Sequence, residues 1–207
     1  MAILKLHGAP FTVGCIRRVV TVLHELQVPF ELHQTPAYLE KQPFGQVPYI
    51  DDSGFILYET RAIYRYLAAK YPAAGLIPTD PKANAIFEQA ASAELTNFDP
   101  SASKLAAETV VKPMFGGTTD LEQVAAHLAV LDKKLDAYDA ILAKQRYIGG
   151  ETFTLADLFH LPYGGRLADG GIDIMTTKPN VARWYNELVA RPSWAAYKGS
   201  IQSTLAY

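Results

Sequence analysis

One cysteine, Cys15, stands in 207 residues, so no internal disulfide can staple the chain. That usage suits a reducing compartment such as the cytoplasm. No run of about 18 apolar residues occurs, which argues against a membrane-spanning helix. An excess of one charge is missing too. The 19 Lys and Arg residues face 21 Asp and Glu, a net charge of −2, so no global field favours nucleic acid or an anionic membrane surface. The start, Met1-Ala2-Ile3-Leu4-Lys5, runs straight into a strand-like pattern and does not read as a secretory signal. No metal-ligand spacing, phosphate-cradling glycine loop or Ser-His-Asp set stands out. Repeats and low-complexity tracts are absent. The remaining composition, 49% apolar and 19% charged, is that of an ordinary globule with one large or two small domains.

What is present divides in two. Residues 3–7 alternate as a strand, and Gly8-Ala9-Pro10 breaks them. Residues 16–26 carry Val19, Val20, Leu23 and Leu26 at helical spacing, and Phe30-Glu31-Leu32 follows Pro29 as a second strand. Strand, helix, strand suits a parallel pair with a crossover. A hairpin over 49–58 turns at Asp52-Ser53-Gly54, and a helix follows over about 60–70. The expected domains are 1–75, a linker at 76–82, and an all-helical part over 83–207. Asp80 and Pro81 read as the N-cap and first position of a long helix reaching about residue 111, bent near Asp99-Pro100. Val124, Leu128, Leu131, Leu135, Tyr138 and Leu142 give the clearest apolar stripe. Thr154-Leu155-Ala156-Asp157 is a capping box, read as structural, and His160 as a buried, hydrogen-bonded histidine.

The most informative stretch is Pro43-Phe44-Gly45-Gln46-Val47-Pro48, followed by Glu59-Thr60-Arg61-Ala62-Ile63. A proline at the mouth of a strand cannot donate to the ladder, and X-Pro is where a cis peptide is cheap. A cis turn there turns the backbone of Val47 outward, toward a peptide-like ligand. A helix opening at Glu59-Thr60 offers unpaired amides and a hydroxyl to a carboxylate.

These motifs resemble the glutathione-binding half of cytosolic glutathione transferases, in wording closest to the phi-like group of plants and fungi. Lys5-Leu6 with Gly8 and Pro10, Phe153-Thr154-Leu155-Ala156-Asp157, and Arg191-Pro192-Ser193-Trp194 extend the likeness over nearly the whole chain. The resemblance implies a thioredoxin-like α/β N-terminal domain, an all-α C-terminal domain and a homodimer. It implies conjugation of glutathione, as co-substrate, to small hydrophobic electrophiles, with peroxidase activity as a further possibility of the family. Gln46, Val47, Pro48, Glu59 and Thr60 would hold glutathione, with Thr60 at the γ-glutamyl carboxylate and Glu59 at the amine. Phe11, Met114 and Phe115 are apolar candidates for the second-substrate pocket.

The thiol of glutathione must ionise. A free thiol has a pKa near ~8.5, and lowering it by about two units stabilises the anion by ~2.7 kcal/mol. A hydroxyl and a helix N-terminus can supply this. Counting forward from Gly8 puts Thr12 on the family serine, whereas counting back from Cys15 puts Val13 there, with one extra loop residue. Thr12 is the preferred donor, because an inserted residue still allows a neighbouring hydroxyl to be presented; a plain helix cap is its structural alternative. Cys15 is the rival nucleophile, against a reading as a small buried residue. One departure stands out. The family's extra segment before Pro-Phe-Gly, with its basic pair for the glycyl carboxylate, is shortened after Leu32. Lys41 and His33 are the substitutes. Three further readings follow: an apolar-ligand carrier on the same fold, a Cys15-dependent thiol-disulfide reductase and, ranked last, a non-enzymatic transferase-like domain such as those of translation factors.

Overall fold

Buried Leu4 and Leu6 alternate with exposed Lys5 and half-buried His7, and this period of two makes strand β1 (Leu4–Gly8). The computed structural model describes residues 3–8, 15–34, 39–199 and 201–207. Helix α1 (Cys15–Glu25) buries Ile16, Val19, Val20 and Leu23. It leads to β2 (Phe30–Gln34), which pairs in parallel with β1 from Leu4↔Phe30 to Gly8↔Gln34. β3 (Tyr49–Asp52) and β4 (Phe55–Tyr58) form the expected hairpin. The sheet order is β2-β1-β3-β4, with β3 antiparallel to β1. Helix α2 (Thr60–Lys70) follows β4 with only Glu59 between. Gly8 closes β1 for a steric reason. A Cβ there would lie 1.9 Å from Cδ1 and 2.6 Å from Cγ1 of Ile16, so any side chain at this position would force the buried Ile16 side chain to move.

The second unit is Pro78–Val189. Asp80 caps its first helix, α3 (Pro81–Ala93), accepting from the amides of Lys82 (3.0 Å) and Ala83 (2.9 Å), with Pro81 at the first position. The long helix expected from the sequence is interrupted twice. A π turn at Glu94–Phe98 precedes α4 (Asp99–Ala106), and a second at Ala107–Val111 precedes α5 (Lys112–Met114). Each π turn ends just ahead of a proline, Pro100 or Pro113. A helical proline lacks a donor and clashes with the preceding turn, and the wider turn makes room for it. α6 (Leu121–Leu142) buries Leu131, Leu135, Tyr138 and Leu142 from the predicted stripe, while Val124 and Leu128 are half-buried. Then come α7 (Leu155–Leu158), α8 (Leu161–Asp169) and α9 (Pro179–Val189).

The capping box at α7 forms. Asp157 is fully buried, and its carboxylate accepts from the Thr154 amide (2.9 Å), the Thr154 hydroxyl (3.2 Å), the Ile148 amide (3.0 Å) and Trp184 Nε1 (2.9 Å). Burial pushes its pKa up, and the four donors oppose that shift. His160 is buried with Nδ1 2.8 Å from the Ala156 carbonyl and Nε2 3.1 Å from the Tyr138 hydroxyl, as a structural histidine should be.

The chain end departs from the expected division. Met1–Ile77 and Ala190–Tyr207 make one unit, so the residues from 190 onward belong with the sheet and not with the helices that precede them. Arg191 and the Ser193 hydroxyl grip Glu25 of α1, Trp194 of α10 (Pro192–Gly199) is buried, and the Phe30 and Thr204 backbones exchange hydrogen bonds at the β2 edge.

Candidate functional site

β1 and β2 run the same way, and β3 runs against β1. The ends of β1 and β2, the start of β3 and the end of β4 therefore lie at one end of the sheet. In open α/β sheets this is where ligands bind. Tyr49 pairs with Tyr58, so Pro48 and Glu59 leave the ladder side by side. The Val47–Pro48 bond is cis. Two motifs more than ten residues apart in the chain thus meet through the register of one hairpin.

The approach to Val47 is pinned locally. Gln42, only 2% exposed, accepts the Phe44 amide on Oε1 at 2.6 Å, and its carbonyl accepts the Gly45 amide at 2.9 Å. This turn leaves Gln46 exposed and Val47 half-buried, with Pro48 buried behind them. Gln42 escaped the sequence reading; a lone glutamine before a proline carries no signal that marks it as an anchor.

On the other strand, Glu59 caps α2 with φ of 67° and no side-chain capping bond. A left-handed backbone at a residue other than glycine costs energy and persists only where the surroundings impose it. The Glu59 carbonyl accepts the Ile63 amide at 2.9 Å, so the helix is closed behind the strained residue. Glu59 is exposed and Thr60 half-buried at the first helical position. The first amides of α2 lack intrahelical partners, and such a helix start, with a hydroxyl residue at its first position, suits an anion. The far end of α2 is tied down as well. Tyr66 and Lys70 both donate to Oδ2 of Asp52 on β3. Burial opposes ionisation of Asp52, yet Lys70 and Tyr66 hold its carboxyl below the usual range.

At the same end, His7 stacks between His33 (centroids 4.9 Å apart) and Tyr49 (4.5 Å) across three strands. Burial first, then His33, Lys41 and Lys5, pull the His7 pKa down, while Asp51 opposes them. His33 Nε2 also lies 3.2 Å from Glu31. The stack went unread in the sequence because it depends on pairing residues far apart in the chain. Lys41 is half-buried.

Cys15 opens α1 and is half-buried. Thr12 and Phe11 lie outside the described residues. Met114 and Phe115 belong to the helical unit, 48% and 72% exposed at the end of the long helix. Among the described residues no group of three or more His, Cys, Asp or Glu could hold a metal, and no helix is long and apolar enough to cross a membrane.

Comparison with known proteins bears on this arrangement. Residues 6–75 match the glutathione S-transferase N-terminal domain family, and residues 98–192 match the glutathione S-transferase C-terminal domain family. A glutathione S-transferase of Arabidopsis thaliana is 43% identical over 199 residues, covering 89% of this chain and 91% of that protein. The solved structure of glutathione S-transferase III in its apo form superposes with a TM-score of 0.88 at 36% identity, covering 97% of each chain. Glutathione S-transferase I from maize, solved with an atrazine–glutathione conjugate, gives a TM-score of 0.88 at 29% identity over 96% of this chain and 97% of that one.

Proposed function

The chain belongs to the glutathione S-transferase family, and we propose that it joins the thiol of glutathione to small apolar electrophiles. The observation that carries this reading is the meeting of Val47–Pro48 with the strained N-terminus of α2 at one end of the sheet. Glutathione is a tripeptide with two carboxylates, an amine and a thiol. In this reading the Thr60 hydroxyl and the first amides of α2 take the γ-glutamyl carboxylate, and Glu59 takes the amine. Gln46 and the backbone of Val47 pair with the cysteinyl part, with Pro48 fixing the turn. Lys41, whose charge reaches His7, is the candidate for the glycyl carboxylate. The Thr12 hydroxyl donates to the sulfur and lowers its pKa, and Met114, Phe115 and Phe11 receive the apolar electrophile. The thiolate attacks the electrophilic carbon, the leaving group departs with the bond electrons, and the thiol proton goes to solvent.

The reading extends to a homodimer in the cytoplasm. Phe44, 69% exposed, meets the Tyr58 ring edge-on at 6.2 Å, and exposed Phe55 lies 5.1 Å from the Tyr66 ring. These rings stand beside β4, an edge strand of the sheet. A row of exposed aromatics along a sheet edge supports burial against a second copy. Light scattering should then report twice the chain mass of 22.7 kDa. Cys15 at the first position of an α1 of 11 residues favours a second reading, a thiol-disulfide reductase.

One titration separates the two. The thiolate absorbance of enzyme-bound glutathione is followed against pH. In the transferase reading Thr12→Ala raises the bound thiol pKa by about one unit or more, the loss of one hydrogen bond to an anion, and Cys15→Ser leaves it alone. Loss of mixed-disulfide reduction in Cys15→Ser, with Thr12→Ala silent, would reverse the assignment.

A further inference from the structure

Met114 and Phe115 stand largely in solvent, so little packing fixes them. Their backbone is held by local hydrogen bonds, the Phe115 amide to the Val111 and Lys112 carbonyls (3.3 Å each) and the Gly116 amide to the Pro113 carbonyl (3.0 Å), and by a clamp from one side chain nearly two turns back. Glu108 lies in the π turn Ala107–Val111. Its carboxylate accepts from Lys112 Nζ at 2.8 and 3.2 Å and, across the hairpin, from the Asp120 amide at 3.0 Å. Its carbonyl accepts the Thr119 hydroxyl at 2.9 Å. Asp120 is itself the N-cap of α6, accepting from Glu122 (3.0 Å) and Gln123 (3.1 Å). One glutamate therefore ties the end of the long helix to the start of the next, and residues 113–118 are the span held between its two grips. The span is tight. The Gly117 amide donates to the Lys112 carbonyl at 2.9 Å, and a Cβ on Gly117 would lie 2.8 Å from Lys112 Cγ and 3.1 Å from that carbonyl oxygen.

We propose that Glu108 is a positioning residue for the electrophile: by clamping Lys112, Thr119 and Asp120 it sets where Met114 and Phe115 stand, and so how tightly an apolar second substrate is held. The inference rests on the reading of Met114 and Phe115 as pocket residues. The lysine and the Asp120 amide hold the Glu108 carboxyl below its usual range, so the clamp stays charged at neutral pH. Without the clamp the hairpin spreads over several conformations, and apparent affinity falls by the fraction that remains competent. Glutathione, held by the other unit, should not register the change.

The test uses initial rates on the full chain with chlorodinitrobenzene as electrophile, varying each substrate in turn, for Glu108→Ala, Glu108→Gln and the double variant Met114→Ala/Phe115→Ala. Glu108→Ala should raise the electrophile KM about three- to tenfold and leave the glutathione KM and kcat in place. Glu108→Gln keeps an acceptor for the Asp120 amide and loses the ion pair, so it should fall between. A double variant that raises the electrophile KM while Glu108→Ala does not would overturn the clamp and leave the pocket reading standing. A double variant without effect would overturn both. Equal rises in both KM values for Glu108→Ala would mark general destabilisation and also overturn the clamp. Should Glu108→Ala fail to fold, Glu108→Gln and Thr119→Val, which removes the other grip, carry the same expectations.

Discussion

Replacing Asp157 by alanine should cost the protein a large share of its stability. The carboxylate is fully buried and satisfies four donors: the amides of Thr154 and Ile148, the Thr154 hydroxyl and the Trp184 indole. Alanine leaves those donors without an acceptor in a place water does not reach. Each orphaned buried donor costs about 1–3 kcal/mol. Neighbouring losses overlap, and the hydroxyl can turn elsewhere, so a total of about 4 kcal/mol is expected. That is a large share of the roughly 5–15 kcal/mol that holds a domain together. Asparagine keeps one acceptor oxygen and turns the other into a donor facing donors, so its cost should be about half as great. Urea denaturation followed by tryptophan fluorescence measures both, since Trp184 reports directly. A loss under about 1 kcal/mol for Asp157→Ala would refute the reasoning, because water or a rearranged backbone would then be meeting the four donors.

Gly8→Ala should destabilise by about 1–3 kcal/mol through collision with Ile16, and Ile16→Val in the same chain should recover part of it; a neutral Gly8→Ala by thermal unfolding would contradict the close approach. Glu59→Gly should raise the melting temperature, because glycine adopts φ of 67° without strain, and should weaken glutathione binding if the Glu59 carboxylate meets the amine. Burial depresses the pKa of both His7 and His24. The unfolded rings take protons below about pH 6.5 while the folded rings resist, so stability should fall as pH drops through that value toward the lower folded pKa values. His24→Gln should flatten the fall in melting temperature on acidification, and an unchanged slope would show that His24 is not its source.

Much of the fold was legible because its signals are local. Asp80-Pro81 announces a helix start, Thr154 and Asp157 announce another, and Leu131, Leu135, Tyr138 and Leu142 repeat along one helix face. The cis bond at Pro48 and the helix opening at Thr60 are local too. What stayed hidden depends on contacts distant in sequence. The His7, His33 and Tyr49 stack exists only once three strands are in register. The return of residues 190–207 to the sheet rests on Arg191 and Ser193 meeting Glu25, and on Thr204 meeting Phe30. The π turns were hidden for a different reason. At Pro100, where the sequence predicts a bend, and at Pro113, the turn ahead of the proline widens into a π turn. The anchor at Gln42 was invisible because its bond runs to a backbone amide two residues on, which any polar side chain there could make.

The most direct test of the central claim is calorimetric titration of the intact chain with glutathione at neutral pH, beside Thr60→Ala. If the end of the sheet formed by Val47, Pro48, Glu59 and Thr60 is the glutathione site, the chain binds with a Kd of about 1 mM or tighter, even without the family's basic pair. Removing the Thr60 hydroxyl from a carboxylate contact of roughly 1.5–3 kcal/mol should then weaken binding about ten- to a hundredfold. No heat from the unaltered chain, or equal binding by Thr60→Ala, would contradict it.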